Sequence, residues 1–217
     1  MINNSGTYYY INSLPKIDLM KQFNMKALGD IKSILGANIK RESNGNITVN
    51  QSYYVKSLIN KFNININKVK SDTPTPDTFN KIIDEIPEDS KHVNNTTYRQ
   101  IIGSLLYMVT VSRPDLAFSV NTLAQLAKPP KEKHLELAKS VLEYACKSNK
   151  DVCVHYITSN SHQEMNTIPI DVEAYADALF APEVSKRKSI TGNIIYMNNA
   201  PISWISKRQS LLQYTAH

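Results

Sequence analysis

The chain has 217 residues, of which 41% are hydrophobic and 20% charged, and a formal net charge of +6. That length suits one large domain or two small ones with a substantial core, and no apolar run approaches the roughly 18 residues that would cross a bilayer. The opening MINNSGTYYYINSLPK lacks the cationic flank, apolar block and small-residue cleavage site of a secretion signal, so an intracellular chain with no membrane partner is expected.

Charge is distributed unevenly. Residues 1–70 carry ten Lys or Arg against three acids, and residues 71–100 carry three against six. A basic excess at the front attracts a phosphate backbone without reading its sequence, because each neutralised phosphate releases counterions. A merely solvated basic surface would have the same composition.

Taken in chain order, Lys16 to Phe23 reads as a short helix and Ile34 to Arg41 as one extended run. Asn44-Gly45-Asn46 then turns the chain into Ile47 to Asn50, which makes a β-hairpin. From Gln51 to Phe62, Tyr54, Val55, Leu58, Ile59 and Phe62 fall at helical spacing, and Lys56 and Lys61 fall off that face. Lys40, Arg41, Lys56 and Lys61 are the candidate nucleic-acid contacts.

Composition changes after residue 63, with Thr73-Pro74-Thr75-Pro76-Asp77 followed by an acidic tract to Asp89. Residues 71–97 therefore read as an extended acidic linker. Three helices follow. Thr96 or Thr97 caps the first, with Ile101, Ile102, Leu105, Leu106 and Val109 on one side. Ser112 and Pro114 open the second, with Leu116, Val120, Leu123, Ala124 and Ala127 aligned. Pro129 and Pro130 end it, and the third runs from about Lys131 to Lys147 with Leu135, Ala138, Leu142 and Ala145 inward. Beyond residue 150 the period becomes that of strands, at Val152 to Ile157, Val172 to Ala178, Ser189 to Met197 and Ile202 to Ser206, with a loose polar stretch at Thr158 to Pro169.

Most familiar chemistry is missing. Cys146 and Cys153 flank a turn and read as reduced, partly buried thiols. The histidines His92, His134, His155, His162 and His217 show no zinc spacing with them. The glycines form no phosphate-cradling loop, no serine sits in a nucleophile elbow, and no internal repeat is visible.

A series of short motifs is more telling: Leu28-Gly29-Asp30-Ile31-Lys32 with Leu35-Gly36 and Ile39; Thr73-Pro74; Tyr98-Arg99; Gly103-Ser104-Leu105-Leu106-Tyr107; Arg113-Pro114-Asp115; Tyr175-Ala176-Asp177-Ala178; Ser189-Ile190-Thr191-Gly192; and Pro201-Ile202-Ser203-Trp204 with Ser206, Lys207 and Gln209. Each is weak alone, but the ordered series resembles copia-type LTR-retrotransposon Pol polyproteins, where reverse transcriptase passes into RNase H.

That resemblance implies an α+β architecture. Residues 1–70 would be the end of the reverse transcriptase palm and its thumb, which in the family grips template and primer. Residues 98–150 would be the helical connection, and residues 151–217 the N-terminal part of an incomplete RNase H-like domain. The palm's catalytic hairpin, with its paired aspartates, would lie upstream of residue 16 and is not in this chain. Asp177 corresponds to the first metal-binding aspartate of RNase H and is the one catalytic and Mg²⁺-binding candidate. The parent enzyme needs two Mg²⁺ ions held by several acids, and the helix that supplies the next glutamate would begin about where the chain stops, at Gln213 to His217. Glu173 and Glu183 are not placed as substitutes, and Leu179-Phe180-Ala181-Pro182 departs from the family pattern.

Three readings follow: a Pol fragment that binds nucleic acid and is catalytically inactive alone, a module completed by another polypeptide, or a non-enzymatic interaction protein. The implied partners are a template-primer or RNA/DNA hybrid and the remainder of the Pol protein, in a cytoplasmic virus-like particle or the nucleus. An incomplete sheet with Ile194, Tyr196, Ile202 and Trp204 on its faces would leave an apolar face and an edge open, favouring association.

Overall fold

The structure, a computed structural model, describes residues 30–127, 129–157, 170–179 and 189–209. The helix expected at Lys16 to Phe23, the loop at 158–169, Glu183 and the C-terminal Gln213 to His217 lie outside those residues. The chain divides into two units, residues 1–32 and 33–217, and every element named below belongs to the second.

The first sheet begins with a departure from the expected single run over Ile34 to Arg41. Leu35 and Gly36 take φ of 47° and 78°, the doubly positive pattern of a two-residue hairpin loop that matches strand twist. The chain therefore reverses, and β1 (Ser33–Ile34) pairs with β2 (Ala37–Arg41), Ile34 opposite Ala37. A bulky residue is costly in this conformation, and the Leu35 carbonyl is held in place by the Tyr107 hydroxyl, which donates to it. At the expected Asn44-Gly45-Asn46 turn, Gly45 takes φ 89° and its N–H donates to the Glu42 carbonyl at 3.0 Å. Strand β3 (Ile47–Asn50) returns antiparallel to β2. Strand β4 (Val154–Tyr156) then completes the order β1-β2-β3-β4 by pairing with β3, Val154 opposite Val49. The strand read at Val152 to Ile157 thus joins the N-terminal hairpin, not the strands that follow it in sequence.

Helix α1 (Ser52–Phe62) buries Val55 and Leu58, with Tyr54, Ile59 and Phe62 packed beside them. Asn63 ends it in the left-handed region at φ 53°, where asparagine is tolerated. The segment 71–97 is more than an extended tie. It contains helix α2 (Phe79–Asp84), and Phe79, 2% exposed, meets Phe118 edge to face at 6.1 Å. Asp72 pairs with Lys147 at 2.8 Å.

Helix α3 (Asn95–Val111) is capped by Asn94, whose Oδ1 accepts from the Thr96 N–H at 2.8 Å, so neither expected threonine is the cap. A 3₁₀ turn at Pro114–Leu116 leads into α4 (Ala117–Gln125), and α5 (Glu132–Lys147) follows. Their apolar stripes make the core: Tyr98, Leu105, Met108, Leu116, Val120, Leu123, Ala138 and Ala145 are sealed from solvent. The Tyr98 hydroxyl, which would otherwise be an unsatisfied buried donor, donates to the Leu123 carbonyl at 2.6 Å.

The second sheet contains β5 (Val172–Leu179), β6 (Ile190–Met197) and β7 (Ala200–Arg208), the three strands that the alternation predicted, antiparallel in that order. Asn198 and Asn199, with φ of 49° and 62°, form the tight β6–β7 turn, and a register shift interrupts the pairing at Ile195/Tyr196. The Trp204 indole N–H donates to the Val109 carbonyl at 2.7 Å, and the Asn121 amide donates to the Ser206 carbonyl at 2.9 Å. Both bonds dock β7 on the helices. Among the described residues the opposite face stays open: Val172, Met197 and Ile205 are exposed.

Two stability measurements follow from this packing. A Cβ on Gly36 would lie 2.6 Å from the Tyr107 oxygen, whereas one on Gly103, on the exposed side of α3, would meet nothing within 4 Å. In denaturant titrations Gly36→Ala should therefore destabilise by about 1–3 kcal/mol, and Gly103→Ala should stabilise by about 0.5–1 kcal/mol. The reverse order would contradict the hairpin. The second measurement concerns His134, whose Nδ1 accepts the Lys131 backbone N–H at 3.2 Å at the start of α5. Burial, reinforced by the Lys131 charge, lowers its pKa from 6.5. The unfolded chain then binds the proton more readily, so stability is complete above about pH 6.5 and falls as pH drops below it. The urea midpoint should decline from pH 7.5 to 5.5, and His134→Gln, which keeps an acceptor without titrating, should flatten the decline; an unchanged slope would exclude His134 as its source.

Candidate functional site

The sheet and the helices flank an open cleft of about 670 Å³, lined on one side by Asp115 and Phe118 and on the other by Tyr175, Asp177, Ile194 and Trp204. Register explains the sheet side. Tyr175, Ile194 and Trp204 form one cross-strand row, and Asp177, Gly192 and Ser206 form the next; residues in such rows share a face. Gly192 adds no side chain beside Asp177, which leaves the carboxylate room.

Asp177 is exposed on β5, and its Oδ1 accepts the neighbouring Ala178 N–H at 2.8 Å. Glu173 is on the same strand face four residues away. At about 3.3 Å per residue the two carboxylates stand roughly 13 Å apart, too far to bind one ion. The Glu173 Oε2 instead accepts the Tyr175 hydroxyl at 2.9 Å, which raises the tyrosine pKa. Asp115 shares the cleft but is engaged elsewhere. Among the described residues no three His, Cys, Asp or Glu side chains converge to hold a metal, so the donors present do not fit a pair of Mg²⁺ ions.

The partner of Asp115 is Arg113, a residue that the sequence reading placed only within a motif. Its guanidinium is 0% exposed. Nε and Nη2 donate to the two Asp115 carboxylate oxygens at 2.8 and 2.7 Å, Nη1 donates to the Ala145 carbonyl at 2.9 Å, and Nη2 also donates to the Ser148 hydroxyl at 2.8 Å. The Tyr144 ring lies 5.5 Å from the guanidinium carbon, and its hydroxyl donates to Asp115 Oδ2 at 3.3 Å. Burial first and the Asp115 charge second raise the Tyr144 pKa. Four of the five guanidinium N–H donors are thereby satisfied. This constellation is structural: it joins the end of α5 to the turn before α4.

The four candidate nucleic-acid contacts are all exposed, but they do not form a single row. Lys40 and Arg41 are consecutive on β2 and so point to opposite faces, and Lys40 lies 3.6 Å from Glu42. Lys56 and Lys61 are five positions apart on α1, with ammonium groups over the rings of Tyr53 and Phe62 at 5.8 and 5.0 Å. Both cysteines are free. Burial pushes the Cys146 thiol up to about 12 against the opposing charge of Arg113, which makes it a poor nucleophile. Cys153 Sγ is 3.1 Å from His155 Nε2, and burial raises its pKa as well.

No helix among the described residues is long and apolar enough to cross a membrane. No family model and no solved structure matches the chain. It is 30% identical over 194 residues to a transposon Ty5-1 protein of Saccharomyces cerevisiae, covering 89% of this chain and 58% of that protein. It is 31% identical over 198 residues to the retrovirus-related Pol polyprotein from transposon TNT 1-94 of Nicotiana tabacum, covering 89% of this chain but 14% of the polyprotein. The chain thus spans only part of the length of these transposon relatives. An uncharacterized mitochondrial protein of Arabidopsis thaliana is 30% identical over 191 residues, and there the alignment covers 88% of this chain and 73% of the relative. Over most of its own length the chain is thus similar to retrotransposon Pol polyproteins.

Proposed function

We propose that this Pol-derived chain corresponds to the reverse transcriptase thumb and connection leading into an RNase H-like sheet, and that alone it binds nucleic acid without catalysing. The motif order supports the assignment, together with the similarity to Pol polyproteins. The observation that carries the inactivity is the isolation of Asp177 from other free carboxylates among the described residues. A two-ion phosphoryl-transfer site needs several carboxylates around one point to place a water and stabilise the leaving oxygen. Here the second carboxylate of the cleft, Asp115, is committed to a buried guanidinium.

Binding rests on the exposed amines of α1 and β2. Lys56 and Lys61 rest on aromatic rings that hold their stems without neutralising them, a form in which ammonium groups remain available to phosphate. Because Lys40 and Arg41 project to opposite faces, only one of them can join such a contact at a time.

The purified chain should bind an RNA/DNA hybrid with an affinity that falls steeply with salt, with a log–log slope of roughly −2 to −4 if about two to four phosphates are neutralised. Lys56→Glu with Lys61→Glu should flatten that slope. With Mg²⁺ added, neither cleavage nor primer extension should exceed the buffer control. Hybrid cleavage that Asp177→Asn abolishes would overturn the inactive reading, and salt-independent or absent binding would overturn the nucleic-acid reading.

A further inference from the structure

We propose that Cys153 and His155 form a zinc-binding site, in which the Cys153 Sγ and the His155 Nε2 chelate one Zn²⁺ on the outer face of the first sheet. The site is separate from Asp177, and it goes beyond the nucleic-acid reading without resting on it. Cys153 comes one residue before β4, and His155 is the central residue of that strand. Alternate residues of a strand share a face. Val154, 2% exposed, therefore points into the protein, while Cys153 and His155 point outward together. Their Sγ and Nε2 stand 3.1 Å apart. Zn²⁺ bonds to thiolate sulfur at about 2.3 Å and to imidazole nitrogen at about 2.0–2.1 Å, so an S–Zn–N angle of about 90–110° needs donors roughly 3.1–3.5 Å apart. The pair already has the bite of the ion. The sequence shows no zinc-finger spacing here because a single residue separates the two donors; the pleat of a strand, which a spacing rule for loops does not cover, brings them together.

The surroundings support a metal ligand. His155 Nδ1 is 3.2 Å from Thr48 Oγ1, on the facing position of β3. When that hydroxyl accepts the Nδ1–H, the ring is fixed in the tautomer whose Nε2 lone pair faces the sulfur, the kind of outer support that metal-binding histidines commonly have. Lys40 continues the same cross-strand row, but its ammonium lies 3.6 Å from Glu42. Burial is the main reason that the thiol keeps its proton, with Arg113 acting against it and Asp151 with it; the Asp151 charge also favours a cation at the sulfur. On binding, the Sγ–H proton passes to solvent, the S–Zn bond forms, and the ion gives up one water for each protein donor. A thiolate and an imidazole select Zn²⁺ over Mg²⁺, which prefers carboxylates and water. With two protein donors among the described residues, solvent completes the tetrahedral shell.

The test uses the full, reduced chain, with Co²⁺ as a spectroscopic stand-in and Zn²⁺ as its competitor. Co²⁺ should produce a thiolate-to-metal charge-transfer band that saturates at one ion per chain, and Zn²⁺ should abolish it. Cys153→Ser should remove the band, whereas Cys146→Ser, at the buried thiol of α5, should leave it unchanged. His155→Ala should weaken binding at least about tenfold, and Thr48→Val by about tenfold. Mass spectrometry after iodoacetamide treatment should show that Zn²⁺ protects Cys153 and leaves the labelling of Cys146 as it was. No band from the reduced wild type, a band that persists in a folded Cys153→Ser variant, or undiminished affinity in His155→Ala would each overturn the proposal. If the serine variant does not fold, alkylation decides, and equal labelling of Cys153 with and without Zn²⁺ rejects the site.

Discussion

A buried guanidinium holds the helical part of this protein together. Arg113 sits between the end of α3 and the turn that opens α4, and its donors reach Asp115, the Ala145 carbonyl and Ser148. A charge so placed is tolerable only when its hydrogen-bonding capacity is met, because taking an ion out of water costs several kcal/mol. The bidentate carboxylate balances the charge, and the bond to Ala145 satisfies a carbonyl in the last turn of α5, where the helix dipole also favours a cation. Two segments that are distant in sequence, the α3–α4 turn and the end of α5, thereby acquire one mutual geometry, and the apolar core of Tyr98, Leu105, Leu123 and Leu142 fills in around it.

The second sheet depends on that geometry in turn. Trp204 donates to a carbonyl in the last turn of α3, one of the orphan acceptors that a helix end leaves, and Asn121 on α4 reaches β7. The cleft between sheet and helices exists because these anchors hold β7 while β5, two strands away, extends free of the helices. Asp177 therefore lies at the rim of an apolar cleft whose other acid, Asp115, serves the architecture. One carboxylate for structure and one for solvent is a different arrangement from the clustered acids that two-metal hydrolysis demands.

Local pattern made much of this legible in the sequence. The stripes of α1, α3, α4 and α5, the turn at Asn44-Gly45-Asn46 and the three strands of the second sheet follow from period and turn chemistry, which act over a few residues. What escaped depends on contacts across the chain. Leu35 reverses the strand where a tyrosine 72 residues later donates to its carbonyl, and leucine is no turn signal. Phe79 lies in a polar, acidic segment, yet it is buried because Phe118 comes to meet it. Strand β4 pairs with β3 across about a hundred residues, and three residues of alternation cannot name their partner. At the site, the strand that carries Asp177 could be read, but the burial of Arg113 could not, since an exposed and a buried arginine are spelled alike.

The central role of Arg113 is tested most directly by a double-mutant cycle in urea, with Arg113→Met, Asp115→Leu and the two combined. Removing one member leaves the other uncompensated, so each single change should cost about 3–5 kcal/mol, while the double variant should lose far less than their sum. If Arg113→Met costs less than about 1 kcal/mol, or if the single losses simply add, the guanidinium is not what holds these helices together.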